Sequence, residues 1–176
     1  MKHNGTKQLV VSALCVALGV ALPFALHAVP KGGSIFLPMH IPVLLCGLLC
    51  GWPFGLACGI LTPLLSSLLT GMPPAAYLPS MMCELAAYGL FASLLMGVVS
   101  TKNRVLGVYL PLIGAMLAGR VVYGVLNALI FAPGKFTMAA FVAGAFVTAL
   151  PGILIQLILL PVLVLALEKA GVSQRP

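Results

Sequence analysis

Charge is what this chain has least of. Only 6% of its 176 residues are charged, while 62% are hydrophobic. A soluble domain gives about a quarter of its residues to charge, so this is an integral membrane protein, and its membrane-length apolar runs make it all-α. Aspartate is absent, which removes an aspartyl dyad, and the two acids are Glu84 and Glu168. No H-E-x-x-H, G-x-S-x-G or P-loop pattern occurs, so the chain has no anchor for zinc-peptidase or serine-hydrolase chemistry and cannot energise transport with ATP itself. The net charge of +7 comes without a Lys/Arg run able to track phosphates, which argues against a nucleic-acid partner. The cysteines (Cys15, Cys46, Cys50, Cys58 and Cys83) lie in apolar segments without a C-x-x-C, and read as small apolar fillers. Cys46 and Cys50 share a helix face, but two soft ligands alone make a poor metal site. No metal or cofactor is expected in this chain.

What is present is a series of long apolar runs. Six segments separate within one membrane domain covering 1–176: about 8–28, 38–51, 54–70, 80–100, 105–131 and 137–169. The first run exceeds a signal-peptide core and is followed by further spans, so it reads as a retained transmembrane helix. Gly51-Trp52-Pro53, Gly71-Met72-Pro73-Pro74 and Ala132-Pro133-Gly134-Lys135 punctuate the runs, because proline cannot continue a helix it enters. Pro151 and Pro161 predict kinks inside the last segment. No repeat relates the two halves, as an inverted-repeat carrier would require.

With six spans, both termini share a side. That side holds Lys2, Lys7, Lys102, Arg104, Lys169 and Arg175, against Lys31 and Lys135 on the other. The positive-inside rule then puts both termini in the cytoplasm of a cell that carries the protein in its plasma membrane. The loops near 29–37, 71–79 and 132–137 face outward. They are the longer, Gly/Pro-rich ones, and predict an outer mouth suited to capturing a ligand. Trp52 falls at a cytoplasmic turn, a common headgroup anchor, and His27 ends the first helix at the outer boundary.

Polar chemistry gathers in the outer halves. Glu84 lies about one turn into the fourth segment and Arg120 near the middle of the fifth. An ionisable group at such depth costs at least ~2.5 kcal/mol, so it pairs or lines a cavity. Two readings are open: a structural Glu84–Arg120 ion pair without a ligand, or groups facing an outward-open binding cavity. Arg120, Tyr123 and Asn127 share one face of the fifth segment, Glu84 and Tyr88 one face of the fourth, and Thr62, Ser66 and Thr70 recur on the third. Ser and Thr often bond back to their own helix, so the convergence carries more than any single hydroxyl. His40 enters the second segment at the outer boundary, as either an interfacial group or a ligand contact.

The first segment carries Ala13, Ala17, Ala21 and Ala25, an alanine at every fourth position. Such methyls form a smooth ridge along a helix, and small residues let helices in lipid approach closely. The ridge reads as a docking rail.

Together these residues resemble a known family. Six short spans, the A-x-x-x-A ladder, Met39-His40-Ile41-Pro42-Val43 through Gly47, Pro63 to Gly71-Met72-Pro73-Pro74, and Glu84-Leu85-Ala86-Ala87-Tyr88-Gly89 look like the S component of an energy-coupling factor (ECF) transporter. The resemblance covers essentially the whole chain. It implies a substrate-binding subunit that takes a vitamin or vitamin precursor from outside, aided by closure of the loop after the first helix. It further implies a membrane coupling protein docked on the alanine ladder, and two partner subunits that bind ATP and magnesium. The substrate is not implied. One cation, one anion, tyrosines and hydroxyls without an outer tryptophan fit a compact polar solute. Pantothenate comes first, its carboxylate on Arg120 and its hydroxyls and amide on Asn127, Ser66 and Glu84. Pyrimidine, pyridoxine-type and ribazole-type precursors are further candidates, ahead of riboflavin and folate. A membrane scaffold, a stand-alone carrier and a small membrane enzyme are the competing functions.

Overall fold

The computed structural model describes residues 5–26, 28–134 and 136–172. Lys2, His27, Lys135 and Arg175 lie outside the described residues. The chain forms α1 (Gly5–Ala25), α2 (Gly32–Phe36), α3 (His40–Cys50), α4 (Trp52–Thr70), α5 (Leu78–Val98), α6 (Leu106–Leu126), α7 (Met138–Val142) and α8 (Leu150–Lys169). A π-helical stretch, Asn127–Phe131, continues α6, and another, Ala143–Thr148, continues α7. Six helical stretches are long and apolar enough to cross a membrane, with α2 and α3 together making one of them, Gly32–Cys50. Leucine and alanine dominate these stretches, and in lipid a helix satisfies its own backbone hydrogen bonds.

Two expectations need correction. The last segment is not one kinked helix over 137–169. It breaks at Ala149 into the short helix 138–148 and the spanning α8. A continuous helix of that length would be about 50 Å long, against an apolar core of about 30 Å. Pro151 falls in the first turn of α8, where its missing N–H is no loss, so it starts the helix instead of kinking it. The second span also begins earlier than expected, because Gly32–Phe36 coils into α2. Lys31 (φ 58°) and Leu37 (φ 49°) bracket that turn in the left-handed region, a conformation that costs a non-glycine residue about 1–2 kcal/mol. The bend at Leu37 lets α3 start at His40 inside the bundle.

Helix α3 is the axis of the fold, and apart from Ile41 all its residues are buried. Backbones touch around it. A Cβ on Gly89 of α5 would sit 2.0 Å from the Gly55 carbonyl oxygen of α4, and one on Gly59 would sit 2.3 Å from that of Leu85. One on Gly47 of α3 would sit 2.6 Å from that of Gly89. Only glycine permits these approaches, which bring many backbone atoms into dispersion contact where lipid supplies no hydrophobic drive. Helix α1 docks at the rim. Ser12, Cys15 and Gly19 face inward, and the Thr62 side chain occupies the space a Cβ on Gly19 would need. Cys46 lies 3.6 Å from the Ser12 hydroxyl and 3.5 Å from the Phe54 carbonyl, in keeping with a small packed thiol. Gly152 of α8 presses on the backbone of Ile35 and Phe36, so α8 carries α2 as a cover.

Candidate functional site

Three helices bring the charged groups together. Glu84 projects from the second turn of α5, Arg120 from α6 and His40 from the first residue of α3. Their exposures are 4%, 8% and 3%, so all three are withdrawn from solvent and lipid alike. Arg120 Nη1 donates to Glu84 Oε1 at 2.9 Å, and His40 Nε2 stands 3.6 Å from the same oxygen. Neither charge would be tolerable alone at this depth, since removing one partner of a buried pair costs about 3–5 kcal/mol. The Tyr88 ring meets His40 edge-on at 5.1 Å and lies against α6 where a side chain on Gly119 would be, which fixes both rings.

The cluster is not satisfied from within. Arg120 Nη2 and both ring nitrogens of His40 are buried without a hydrogen-bond partner, and so is Nε2 of Gln156. Buried polar atoms of this kind normally find partners, and those that do not call for an explanation. Gln156 was not singled out above, although it is the one polar side chain of α8 before Glu168. A lone amide in such an apolar run was the available signal. It is 1% exposed. Ile153 and Leu157 on the same stretch of α8 line a cavity of 130 Å³ beside Arg120, together with Ile113, Met116, Leu117 and Phe146.

Ile113, Leu117 and Phe146 are exposed, so this space is a half-open apolar cleft with Arg120 as its one polar lining residue. Segment 136–148 folds over the C-terminal part of α6. Tyr123 packs edge-on against Phe136 (5.9 Å) and stacks on Phe141 (6.4 Å), and Phe141 meets Phe146 at 5.8 Å. Phe141 also lies where a Cβ on Gly124 would be. Tyr123 is therefore part of an aromatic cap. Asn127 begins the π stretch above it and donates through Nδ2 to the Ser80 hydroxyl (2.6 Å) and the Tyr123 carbonyl (2.8 Å), tying α6 to α5.

The Thr62, Ser66 and Thr70 stripe goes elsewhere. Thr62 faces α1, and Ser66 donates to the Met72 carbonyl at 2.7 Å. Ser67 donates to the Pro73 carbonyl at 2.8 Å, and Thr70 back to Ser66 at 2.7 Å. These hydroxyls clasp the loop after α4. None of the described hydrogen bonds links them to Glu84 or Arg120, so the expected convergence of three stripes reduces to α5 and α6, joined by α3 and α8.

On the opposite face of α1, Ala13, Ala17, Ala21 and Ala25 are all exposed. The first three line an apolar groove of 510 Å³ with Val16, Val20 and Phe24, walled by Leu65, Leu69 and Thr70 of α4.

A comparison with curated proteins and one with solved structures give no significant match. A family profile described as ECF transporter, substrate-specific component, matches residues 7–164. That stretch contains the ladder, the charged cluster and Gln156. The chain therefore belongs to the substrate-specific components of ECF transporters, multi-pass membrane subunits that bind a transported solute and are not enzymes.

Proposed function

We propose that this chain captures a small water-soluble vitamin or vitamin precursor at the outer face of the plasma membrane, with pantothenate the first candidate, and that both its termini are cytoplasmic. The observation that carries the reading is the buried Glu84–Arg120–His40 cluster, with Arg120 Nη2 and the His40 ring unpartnered. Glu84 holds one edge of the guanidinium in a fixed direction and leaves the other edge for a ligand. Tyr88 sets the orientation of His40. A planar guanidinium oriented in this way is preorganised for a bidentate acceptor.

The 130 Å³ cleft beside Arg120 is lined otherwise by apolar side chains, so a polar vitamin reaches the charged cluster only after the site rearranges. Two covers can move. Helix α2 is bracketed by the left-handed Lys31 and Leu37 and rests on Gly152, and the aromatic cap lies over Arg120. The loaded subunit then tilts in the membrane and presents the solute inward. Its exposed alanine groove slides on the coupling protein, because a ridge of methyls offers no bulky side chain to interlock. ATP and magnesium belong to two partner subunits, whose hydrolysis cycle resets the complex. Asn127 and Ser66 have their donors committed to Ser80, Tyr123 and Met72, so they act first by tying α6 to α5 and fixing the loop after α4.

The test is a thermal-shift screen of the detergent-purified chain against B vitamins and their precursors, followed by co-purification with the coupling protein and its ATPases. A ligand that binds only the folded state raises stability with the logarithm of its concentration over Kd. One vitamin giving such a shift, and a stable complex with the energising subunits, is expected. A chain with neither is a scaffold. A chain that transports without the ATPases is a stand-alone carrier.

A further inference from the structure

We infer that Gln156 is a ligand-contacting, specificity-determining residue, and that with Arg120 and His40 it forms a corner of hydrogen-bond donors for a carboxylate. The inference rests on the capture reading above and names the chemical class of the solute.

Position comes first. On α8 the buried face runs through Gly152, Gln156, Leu160, Pro161 and Val164. Gly152 presses on Ile35 and Phe36 of α2, while Ile153 and Leu157 face the cavity beside Arg120. At about 100° per residue Gln156 lies between these two directions. One turn inward from the Gly152–Phe36 contact, it stands at the level where α3 begins with His40. The side chain is 1% exposed and its Nε2 has no partner. Nothing in the packing of α8 uses this amide, and a leucine would fill the same space without leaving a donor unmet.

Chemistry comes second. The unspent atoms are Arg120 Nη2, Gln156 Nε2 and the His40 ring nitrogens, carried by three different helices. Glu84, the one carboxylate of the cluster, is already engaged by Arg120 at 2.9 Å. A cationic solute would find that charge occupied and a guanidinium beside it. A carboxylate brings acceptor sites for several donors at once, and donors from separate helices match its two oxygens. Each oxygen left unpaired at this depth would carry the full desolvation penalty, so the corner discriminates by what it leaves unmet.

The experiment is titration calorimetry on the full chain in detergent. The probes are three carboxylate vitamins (pantothenate, nicotinate, biotin), their uncharged partners (panthenol, nicotinamide, biotinamide), and thiamin, pyridoxine and riboflavin. The wild type is compared with Gln156→Leu, and with Gln156→Asn, which keeps the amide should the leucine variant fail to fold. The expected result is that one carboxylate binds, that its uncharged partner binds about tenfold or more weakly, and that Q156L weakens the carboxylate by about tenfold while changing the uncharged partner by less than about twofold. The ligand-free melting temperature of Q156L is expected to equal or exceed that of the wild type. Unchanged carboxylate affinity in Q156L, or in Q156N if only that variant folds, overturns the role of Gln156. Binding of only an uncharged or cationic vitamin overturns the carboxylate assignment and leaves the capture reading standing. No binding across the panel overturns the capture reading, and the inference with it.

Discussion

Arg120→Ala separates the two roles that the cluster gives this side chain. In the ligand-free protein the guanidinium neutralises Glu84 through a 2.9 Å contact, with the two groups 8% and 4% exposed. Truncation leaves a buried carboxylate, for which broken buried pairs indicate a loss of about 3–5 kcal/mol. His40, 3.6 Å from the same oxygen, reduces that loss as a second partner. Arg120→Ala combined with His40→Ala is therefore expected to destabilise by more than the sum of the single changes. Pairing Arg120→Ala with Glu84→Gln should recover part of the loss, because the uncompensated charge is gone. The second role is at the ligand. Losing a charged donor to an anionic solute costs about 2 kcal/mol, roughly thirtyfold in Kd. Thermal unfolding in detergent measures the first effect, and calorimetry with the identified vitamin measures the second on those variants that fold. An unchanged Kd in Arg120→Ala would remove Arg120 from the ligand site. A zero coupling energy between Arg120 and Glu84 in the double-mutant cycle would refute the pair itself.

Three further expectations follow from other parts of the molecule. Ala17→Leu with Ala21→Leu should abolish uptake in cells while leaving vitamin affinity unchanged, since both methyls line the outer groove of α1 and touch nothing in the charged cluster; surviving uptake would end the docking reading. Gly89→Ala places a methyl 2.0 Å from the Gly55 carbonyl oxygen, so α4 and α5 must part, and a loss of about 1–3 kcal/mol or more is expected. An unaltered melting temperature would show that the seam is loose. Phe141→Ala removes the ring that stacks on Tyr123 and meets Phe146. It should speed both association and release of ligand in stopped-flow experiments, and equal rates would mean that this cap does not move.

Hydropathy was enough to place six spans, because membrane-length apolar runs can be read residue by residue. The Gly/Pro breaks around Gly51 and Gly71 needed no tertiary information either, since proline and glycine act on their own backbone. Segment 137–169 was misread because composition does not show how much of an apolar run the bilayer can hold. Here the surplus folded into a cap over α6 instead of extending the helix.

The alanine spacing and the pairing of Glu84 with Arg120 were likewise visible as candidates. That the ladder faces outward depended on Ser12, Cys15 and Gly19 turning toward α3 and α4. Which polar stripes meet was beyond the sequence. Thr62 and Ser66 share the periodicity of Tyr123 and Asn127, yet they serve α1 and the loop after α4. Gln156 belongs to no polar stripe, and its burial on α8 with an unpartnered amide was visible only in the fold. Periodicity is a property of one helix and reports which of its residues share a face. The rotation of each helix against its neighbours comes from contacts far apart in the chain, such as Gly55 on Gly89 and Gly152 on Phe36. The sequence by itself determined the lipid-soluble class, the number of spans and the family. Only the packing of those glycines decided that His40, Glu84 and Arg120 would meet in one buried cluster.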